Sequence, residues 1–583
     1  MVNTSYDDED FIPGTVNIFD SKYDDEDSFN GQHEVKRGKR GVILLPQPSD
    51  SPNDPLNWSF LRKSWHLVLV CFITALTGAI SMDAASAEYA VNELYGISYK
   101  SFNTGAGILY LFIGWSCIFF APASSLYGRR ITYIICLLAG CLGSLWFGLT
   151  KKTSDSVCSQ IFVGMSMSCA EAQVQQSISD VFFQHQLGEV LTFYILAISI
   201  GTFLGPLVAN YIGEGLTFRW IGFWAAIICG ATLIVVIFSC EETVFDRTKF
   251  IPIIEATASD SLSDANQQKD RTVDKDPPEL SPENKRSCIT KEVDVNTVSS
   301  PKLIAMTSAN PETAAQELGH TVTEDKWSYW KRVAIITPSS YLKGTGFKQY
   351  IYRFVIYFKV FTIPAVWFSG ILWGLQDTYL SFFLTTQYDY FSEDPWLYTE
   401  NGVAIMNVPT LIGAVIGSIM SGFISDYHIL WLAKRNNSIY EPEMRLWLLS
   451  ISWILSPLGL IMFGVGAARQ WPWQVIYVGL GFIGFGWGSI GNSSMSYLMD
   501  SYPEIVIQGM VGVSIINNTF ACIFTFTCSQ WLAASGTQNT FIALSVIDFV
   551  TIGMAFPMFY YGKICRRMTK GLYLNLVELS QGN

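Results

Sequence analysis

The sequence predicts an all-α membrane protein of twelve transmembrane helices in two pseudo-symmetric six-helix halves, and three observations lead to this fold class. Only 15% of the residues are charged, whereas soluble proteins carry about 25%. Apolar runs of about 18 residues or more recur along the chain, and a run of this length crosses a bilayer core as a helix. A long polar stretch separates the first six of these runs from the last six.

The apolar runs and their polar boundaries define the predicted spans. The first half has spans at 66–90, 105–125, 131–149, 157–178, 188–211 and 220–240. The second half has spans at 364–386, 402–425, 446–466, 472–498, 508–532 and 540–562. Small-residue helix ends meet a polar turn after the second span of each half, at 121–130 and 421–427, which indicates an internal duplication.

These spans divide the chain into five predicted regions. They are a disordered N-terminal tail (1–64), an N-terminal six-helix half (65–242), a largely disordered central loop (243–360), a C-terminal six-helix half (361–562) and a C-terminal tail (563–583). The last part of the central loop, Lys331 to Lys359, mixes basic and aromatic residues and is expected to lie against the membrane surface. No cleavable signal precedes the first span.

Basic residues predict the orientation of the spans. They cluster after the second, eighth and twelfth spans, at Arg129, Arg130, Lys434, Arg435, Arg566, Arg567 and Lys570. All of these positions lie on one side of the membrane if both termini are cytoplasmic, as the positive-inside rule requires.

Motifs spread along the chain carry a family resemblance. They are residues 52–59 before the first span, 124–130 after the second, 201–206 in the fifth, and 440–446 and 500–503 in the second half. Over residues 47–563, apart from the central loop, the chain resembles the major facilitator superfamily, and within it the twelve-span drug:proton antiporter branch of fungi. Further phrases at 168–175, 402–413 and 515–519 resemble the polyamine permeases of this branch.

The resemblance implies the major facilitator fold and a monomer with no nucleic-acid partner. It also implies proton-coupled uptake of polyamines (spermidine, putrescine, spermine) and related organic cations at a fungal plasma membrane, by alternating access. Two residues depart from the family pattern. Ser125 stands where the loop motif carries an acid that latches it to the next helix, and Gln160 stands where span 4 carries a buried Arg implicated in proton coupling.

Charges inside the predicted spans are acidic, with essentially no Lys or Arg. The acidic residues include Asp83, Glu88, Glu171, Asp377 and Asp548. An ionisable side chain at bilayer depth costs about 2.5–3.5 kcal/mol on insertion scales, so each needs a reason. Without an internal basic partner, the remaining reasons are protonation, an aqueous cavity or a cationic ligand. The sequence therefore favours an organic cation as the substrate.

Glu171 and Asp377 are the predicted centre of the substrate site. They lie near the middles of spans 4 and 7, which belong to opposite halves and face the central cavity in the family that the chain resembles. One carboxylate from each half suits a linear di- or triamine, because each ammonium group receives charge-assisted hydrogen bonds. The alternative is that one of the two carboxylates is protonated and packed against its neighbours.

Asp83 is a further predicted binding residue and, with Glu171, a predicted proton carrier. It lies in the outer part of span 1 beside small residues, which leave room for water or ligand. A water-exposed gate residue is the alternative. Glu88 is expected at a solvated helix end, and Asp548 is expected to face packing or the lipid interface.

Polar and aromatic residues near the two central carboxylates complete the predicted site. Trp373 precedes Asp377 by one helical turn, and its ring suits cation–π contact or ordinary core packing. Gln175 lies one turn after the span-4 carboxylate and shares its face. Asn517 and Asn518 in span 11 are expected to face the cavity or to hydrogen-bond between helices.

A second set of residues is predicted to serve conformational change. Gly201, Gly205 and Pro206 indicate close helix packing and a kink in span 5. The turns after the second span of each half contain the rest of the set, which is Gly128, Arg129, Arg130 and Asp426. These residues either brace the cytoplasmic helix ends or only set the topology.

Enzymatic and cofactor-dependent functions are not predicted. The sequence has no P-loop, no Gly-rich nucleotide fingerprint and no His/Cys spacing for a metal, so an ion gradient is the expected energy source. Two alternatives to uptake stay open. One is a proton-driven exporter of drugs or organic cations, favoured by the 201–206 motif, and the other is a nutrient sensor that does not transport.

Overall fold

A computed structural model of the protein describes residues 11–17, 44, 46, 48–183, 186–247, 325–339, 342, 344–392, 394–436 and 439–581. Most of the predicted N-terminal tail and residues 248–324 of the predicted central loop lie outside the described residues. The described residues fall into two compact units. The smaller unit contains Asp54 and Arg247, whose side chains form an ion pair of 3.2 Å, and the larger unit contains every helix discussed below.

Six long helices follow one another in the first half. They are α1 (Phe60–Ser81), α2 (Tyr99–Tyr127), α3 (Arg129–Gly148), α4 (Thr153–Ser168, continuing as Val174–Val181), α5 (Leu187–Gly215) and α6 (Phe218–Ser239).

The second half repeats this arrangement. Its helices are α7 (Pro364–Phe391), α8 (Asn407–Ile419, continuing as Ser425–Arg435), α9 (Leu449–Ala468), α10 (Trp473–Ser501), α11 (506–535) and α12 (537–553, continuing as Ala555–Met568). Helices α11 and α12 join without a loop at Gly536, whose φ of +71° breaks the helix.

Membrane-length helices confirm the predicted fold class. In the part of the chain that the structure describes, nine helical stretches are long and apolar enough to cross a membrane, or ten if one pair bent by 83° counts as a span. One of the nine, Pro503–Met568, contains both α11 and α12. Helix α4 does not qualify because its middle is polar, with Glu171 and three glutamines between residues 171 and 176. Each of the twelve predicted spans overlaps one of α1–α12, with different ends in several cases.

The end of α1 differs from the prediction. The first span was expected to run to residue 90, whereas α1 ends at Ser81. The amide of Met82 donates back to the carbonyl of Ala79 at 3.0 Å, which tightens the last turn. The chain continues as two short helices, Asp83–Ser86 and Glu88–Tyr95.

Helix pairing shows the internal duplication. In the first half α1 packs on α5, α2 on α4 and α3 on α6; in the second half α7 packs on α11, α8 on α10 and α9 on α12. Each second-half pair is the first-half pair moved on by six helices. The two halves meet through two helix pairs, α2 with α11 and α5 with α8. The duplication relates these pairs, because α8 is the counterpart of α2 and α11 is the counterpart of α5.

An amphipathic helix, Phe347–Lys359, precedes α7 in the segment for which the sequence predicts a membrane-surface position. It meets α7 at the bend of 83°. Its Tyr350 hydroxyl donates to the carbonyl of Phe119 in α2 at 2.8 Å, and many of its large apolar side chains are exposed.

The two ends of the helix bundle are distinguished by the chain termini. We call one end of the bundle the terminal face. It contains the described N-terminal residues, the C-terminal helix Lys570–Gln581 and the α2–α3, α4–α5, α8–α9 and α10–α11 connections. The other end is the opposite face. On the terminal face, strand β1 (Val16–Asn17) pairs antiparallel with strand β2 (Ile439–Tyr440) between α8 and α9. This pairing was not predicted from the sequence.

Candidate functional site

Two adjoining cavities lie between the halves. The mouth cavity, near the opposite face, contains about 710 Å³ of space between atoms, part of which is open to solvent; its walls include Ala84, Glu88, Phe102, Asn103, Gln160, Leu384 and Thr385. The inner cavity contains about 390 Å³ of space between atoms, including space open to its surroundings; its walls include Met167, Glu171, Thr202, Trp373, Asp377, Trp487 and Asn518. Ser81, Met82, Leu109 and Tyr110 line both, so the two cavities share a wall region formed by α1 and α2.

Glu171 lies in a π-helical turn, Cys169–Gln173, that interrupts α4. Such turns inside α-helices frequently occur at functional sites, because the extra residue in the turn re-aims neighbouring side chains. The Glu171 side chain is only 4% exposed and lines the inner cavity. No hydrogen bond or ion pair joins its carboxylate to another described residue, so a ligand or a proton is left to balance its charge.

Asp377 of α7 lines the same cavity from the other half. Its Oδ1 atom accepts a hydrogen bond of 2.8 Å from the indole Nε1 of Trp487 in α10. Asn517 of α11 lies beside it, although the amide atoms of Asn517 have no hydrogen-bond partner among the described residues. The structure thus places the two predicted central carboxylates in one cavity.

Aromatic rings form one wall of the inner cavity. The rings of Trp373 and Trp487 are 4.9 Å apart, and Phe203 of α5 meets Trp487 edge-on at 5.5 Å. The six-membered ring of Trp373 lies directly against Gly491 of α10, where any side chain would overlap it. The predicted site residue Trp373 therefore lines the cavity and is also tightly packed.

Tyr110 and Trp487 are site residues that sequence reasoning missed. Tyr110 of α2 lines both cavities and lies close enough to interact electrostatically with Glu171 and Asp377. Both residues lie within apolar runs that contain many other aromatic residues. The Gly-rich sequence around Trp487 was the available signal, because small residues on facing helices let a large ring approach.

The remaining predicted binding residues have different positions. Asn518 lines the inner cavity, and its Nδ2 donates to the Ser514 carbonyl at 2.9 Å. Gln175 is buried between the halves, where its Nε2 donates to the sulfur of Met495 at 3.4 Å, and it lines neither cavity. Asp83 begins the short helix after α1 and also lines neither cavity, and its Oδ2 is buried without a partner in the described chain.

Two further acidic residues of the spans lie apart from Glu171 and Asp377. Glu88, expected at a solvated helix end, lines the mouth cavity. Asp548, expected to face packing or lipid, is fully buried inside the second half and accepts hydrogen bonds from Gln376 and Ser456.

Contacts between α5 and α8 close the site toward the terminal face. Gly422 of α8 lies against the hydroxyl of Thr192 in α5, and Asn492 of α10 donates to the same hydroxyl at 3.3 Å. Gly188 at the start of α5 lies against the carboxylate of Asp426. These contacts join the halves between the inner cavity and the terminal face.

The predicted loop-motif residues lie at this closed end. Arg129 pairs with Asp180 at the end of α4 at 3.1 Å, and its amide donates to Glu242 at 2.9 Å. Arg130 is fully buried and donates to the Ile237 carbonyl at 2.7 Å. Arg129 thus finds acidic partners although position 125 holds a serine.

A second charged cluster lies on the terminal face of the second half. Arg445 pairs with Asp426 at 3.0 Å and also with Asp500. Burial raises the pKa of Tyr440 well above its ordinary value. The phenol therefore keeps its proton and donates it in a hydrogen bond to Asp500.

Close glycine contacts join α5 to α1. Gly201 lies directly against the Ala75 carbonyl, and a side chain on Gly205 would meet the Cα atom of Ala79 at 2.8 Å. Pro206 follows within the continuous helix α5. Within the described residues, no group of three or more His, Cys, Asp or Glu side chains is arranged to hold a metal ion.

Comparisons with known proteins agree with this architecture. The family profile of the Major Facilitator Superfamily matches residues 67–527. Protein HOL1 of Saccharomyces cerevisiae is 52% identical over 591 residues and covers 99% of both chains. An uncharacterized MFS-type transporter of Schizosaccharomyces pombe is 45% identical over 572 residues, which are 97% of this chain and 95% of the relative.

A solved structure shows the same fold. The human organic anion transporter MFSD10 (TETRAN) superposes with a TM-score of 0.51 over 85% of this chain and 100% of that one, at 11% identity. The family match and the full-length relatives confirm the resemblance found in the motifs, and they indicate a transporter and not an enzyme. The chain belongs to the Major Facilitator Superfamily of membrane transporters.

Proposed function

We propose that the protein is a plasma-membrane transporter that takes up polyamines and related organic cations by alternating access, driven by a proton gradient. The charge of the inner cavity carries this proposal. Glu171 and Asp377, one from each half, line it, and no Lys, Arg or His of the described chain lines either cavity. Carboxylates at such depth are costly unless a proton, water or a cationic ligand balances them. An ammonium group of the substrate meets this requirement.

The other walls of the inner cavity favour a linear amine with methylene segments. Ammonium groups form strong charge-assisted hydrogen bonds with carboxylates. The rings of Tyr110, Trp373 and Trp487 offer apolar surface to the methylene groups and cation–π contact to the charges. A molecule that joins the two carboxylates also joins the two halves, so its binding favours a closed state around it.

The orientation that we propose places the terminal face in the cytoplasm. Arg129, Arg130, Lys434, Arg435, Arg566 and Arg567 all lie at this end, in agreement with the positive-inside rule. In this orientation the α5–α8 contacts close the cytoplasmic side, and the mouth cavity lies on the outer side of the inner cavity. This conformation suits a protein that receives its substrate from outside.

Transport by purified full-length protein in liposomes tests this function. Labelled spermidine, putrescine and a monoamine are offered with an inwardly directed proton gradient. We expect uptake of the di- and triamine and weak uptake of the monoamine. Glu171→Gln and Asp377→Asn each remove one carboxylate that would bind an ammonium group of the substrate. A hydrogen bond to a charged group contributes about 1.5–3 kcal/mol, so the apparent affinity for the substrate should fall about 10- to 100-fold.

A matched control keeps this test specific. Asp155 lies in the first turn of α4, away from both cavities, and caps the backbone of Lys151 and Lys152. Asp155→Asn therefore removes a carboxylate from the helix of Glu171 and should leave uptake unchanged. Unchanged uptake in Asp377→Asn contradicts the site. Proton-driven loss of preloaded substrate, instead of accumulation, would favour the exporter.

A further inference from the structure

Asp548 is a buried carboxylate of α12 that the candidate site does not use. Its side chain is 1% exposed. Gln376 of α7 donates from Nε2 to Oδ1 at 2.8 Å, and Ser456 of α9 donates from Oγ to Oδ2 at 2.6 Å. One carboxylate therefore joins three helices of the second half.

No positive side chain balances Asp548 within the described residues. Its partners from α7 and α9 are an amide and a hydroxyl. Tyr379 of α7 is a titratable group that interacts with it electrostatically, and α10 and α11 bring no described ionisable side chain into hydrogen-bonding contact with it. An intramembrane carboxylate without a cationic partner is characteristic of proton pathways.

Asp548 is linked to the inner cavity through consecutive residues of α7. Asp377 faces the cavity and accepts from Trp487, while its neighbour Gln376 donates to Asp548. A movement of α7 on substrate binding at Asp377 would therefore also displace the donor to Asp548. For Asp83, which also lies outside the inner cavity, no hydrogen bond of the described residues provides such a link.

Joint uptake of a proton and a cation requires two separate acceptors. If both compete for one carboxylate, binding of one weakens binding of the other, and the result is exchange and not joint transport. Glu171 and Asp377 both lie where a substrate amine would occupy them. Asp548 is a carboxylate outside the cavity that remains free to bind a proton while the amine is bound.

We infer that Asp548 binds the proton that travels with the organic cation, and that Gln376 couples its protonation state to Asp377. This inference rests on the proposed function and deepens it by naming the proton-binding residue. Asp548 is a positioning residue with respect to the substrate, because it acts through Gln376 and α7 and does not touch the cavity.

Two transport assays on full-length protein in liposomes test the inference. The first measures accumulation of labelled spermidine driven by a proton gradient, and the second measures exchange of internal for external spermidine without a gradient. Asp548→Asn keeps the size of the side chain and a hydrogen-bonding partner for both neighbours. We expect accumulation to fall about ten-fold or more, and exchange to stay within about two-fold of the unmodified protein, because exchange needs no net proton movement.

Two further variants separate proton binding from structural damage. Ser456→Ala removes one donor to the ionised carboxylate, so the pH midpoint of accumulation should move to higher pH. Ser545→Ala removes a hydroxyl that donates to the Pro457 carbonyl at 2.9 Å across the same helix pair. Because it does not contact Asp548, it should leave both assays and the pH midpoint unchanged.

The outcomes distinguish failure of the inference from failure of the proposed function. The inference is overturned if Asp548→Asn still accumulates spermidine on a proton gradient with an unchanged pH profile. It is also overturned if Asp548→Asn loses exchange and the pH midpoint of accumulation in Ser456→Ala does not move. Loss of coupling in Asp83→Asn alone also overturns it and assigns the proton to Asp83. If the unmodified protein neither accumulates nor exchanges spermidine, the proposed function itself fails.

Discussion

The indole Nε1 of Trp487 donates a hydrogen bond of 2.8 Å to Oδ1 of Asp377, and this bond orients the carboxylate of the second half within the inner cavity. The same indole ring contacts Phe203 of the first half at 5.5 Å. Trp487 thus hydrogen-bonds a proposed substrate-binding residue through its indole nitrogen, and its ring packs against the first half of the protein. A rearrangement of the halves that displaces Phe203 would therefore also disturb the ring that holds Asp377.

Replacing Trp487 by Phe tests the polar part of this relationship. Trp487→Phe keeps an aromatic ring against Phe203 but removes the donor to Asp377. Without this donor the carboxylate no longer keeps its orientation in the inner cavity, so the apparent affinity for spermidine should fall about 10-fold, which is about 1.4 kcal/mol. Uptake kinetics measure the change. Trp473→Phe, at an exposed position of the same helix, is the control, and an unchanged KM in Trp487→Phe contradicts the role of the bond.

Gly491→Ala is expected to disturb the aromatic wall of the cavity. The added methyl group would overlap the Trp373 ring, and forcing extra volume into a packed site costs about 1–3 kcal/mol. The ring must move into the inner cavity, so uptake of the longer polyamines should fall first. Gly481→Ala on the same helix is the matched control, since its nearest neighbour would be 3.7 Å away. Equal effects of the two variants would contradict the prediction.

Most of the fold was predictable because one physical quantity, the length of an apolar run, determines a membrane span, and α4 with its polar middle is the exception. Apolar length did not predict the end of α1, because small and apolar residues continue past Ser81 around Asp83 and Glu88 while the backbone turns at Met82. The strand pairing of Val16–Asn17 with Ile439–Tyr440 was equally hidden. Two-residue strands far apart in sequence leave no periodic signal.

The candidate site was predictable only where charge marks it. Glu171 and Asp377 stand out as acids in apolar runs, whereas Tyr110 and Trp487 do not stand out among many aromatic residues. The placement of Asp83 also depends on the end of α1, because a residue that starts a new helix does not keep the direction of the old one. Side-chain direction at such breaks requires the structure.

Arg566 is expected to stabilise the terminal face of the second half. Its guanidinium is 1% exposed and binds Glu443 through two hydrogen bonds of 2.9 and 2.6 Å. A third nitrogen donates to the Thr15 hydroxyl at 2.9 Å, which holds the N-terminal strand in place. Removing one partner of a buried ion pair costs about 3–5 kcal/mol. Arg566→Met should therefore lower the melting temperature of the purified protein.

A double variant separates the ion pair from general damage at Arg566. Arg566→Met combined with Glu443→Met leaves no buried unpaired charge, so it should recover much of the lost stability. Both Arg566 variants should expose residues 11–17 to proteolysis, because the contact with Thr15 is lost in each. Equal melting temperatures for the single variant and the unmodified protein would contradict this role.

Gly422→Ala is expected to open the closed side of the protein. Gly422 lies in a π-helical turn of α8 directly against the Thr192 hydroxyl of α5, so a methyl group there forces the two halves apart. Hydrogen exchange in the terminal-face ends of α5 and α8 should become faster, and spermidine uptake should fall as the population that is closed at the terminal face falls. Thr192→Ala in the same chain removes the overlapping hydroxyl and should restore both properties in part, because the Cβ atom of residue 192 stays 2.9 Å from the added methyl group. Gly402→Ala, whose nearest contact would be an ordinary 3.4 Å, should change neither hydrogen exchange nor uptake. If the double variant is no better than Gly422→Ala alone, the contact between Gly422 and Thr192 does not hold the halves together.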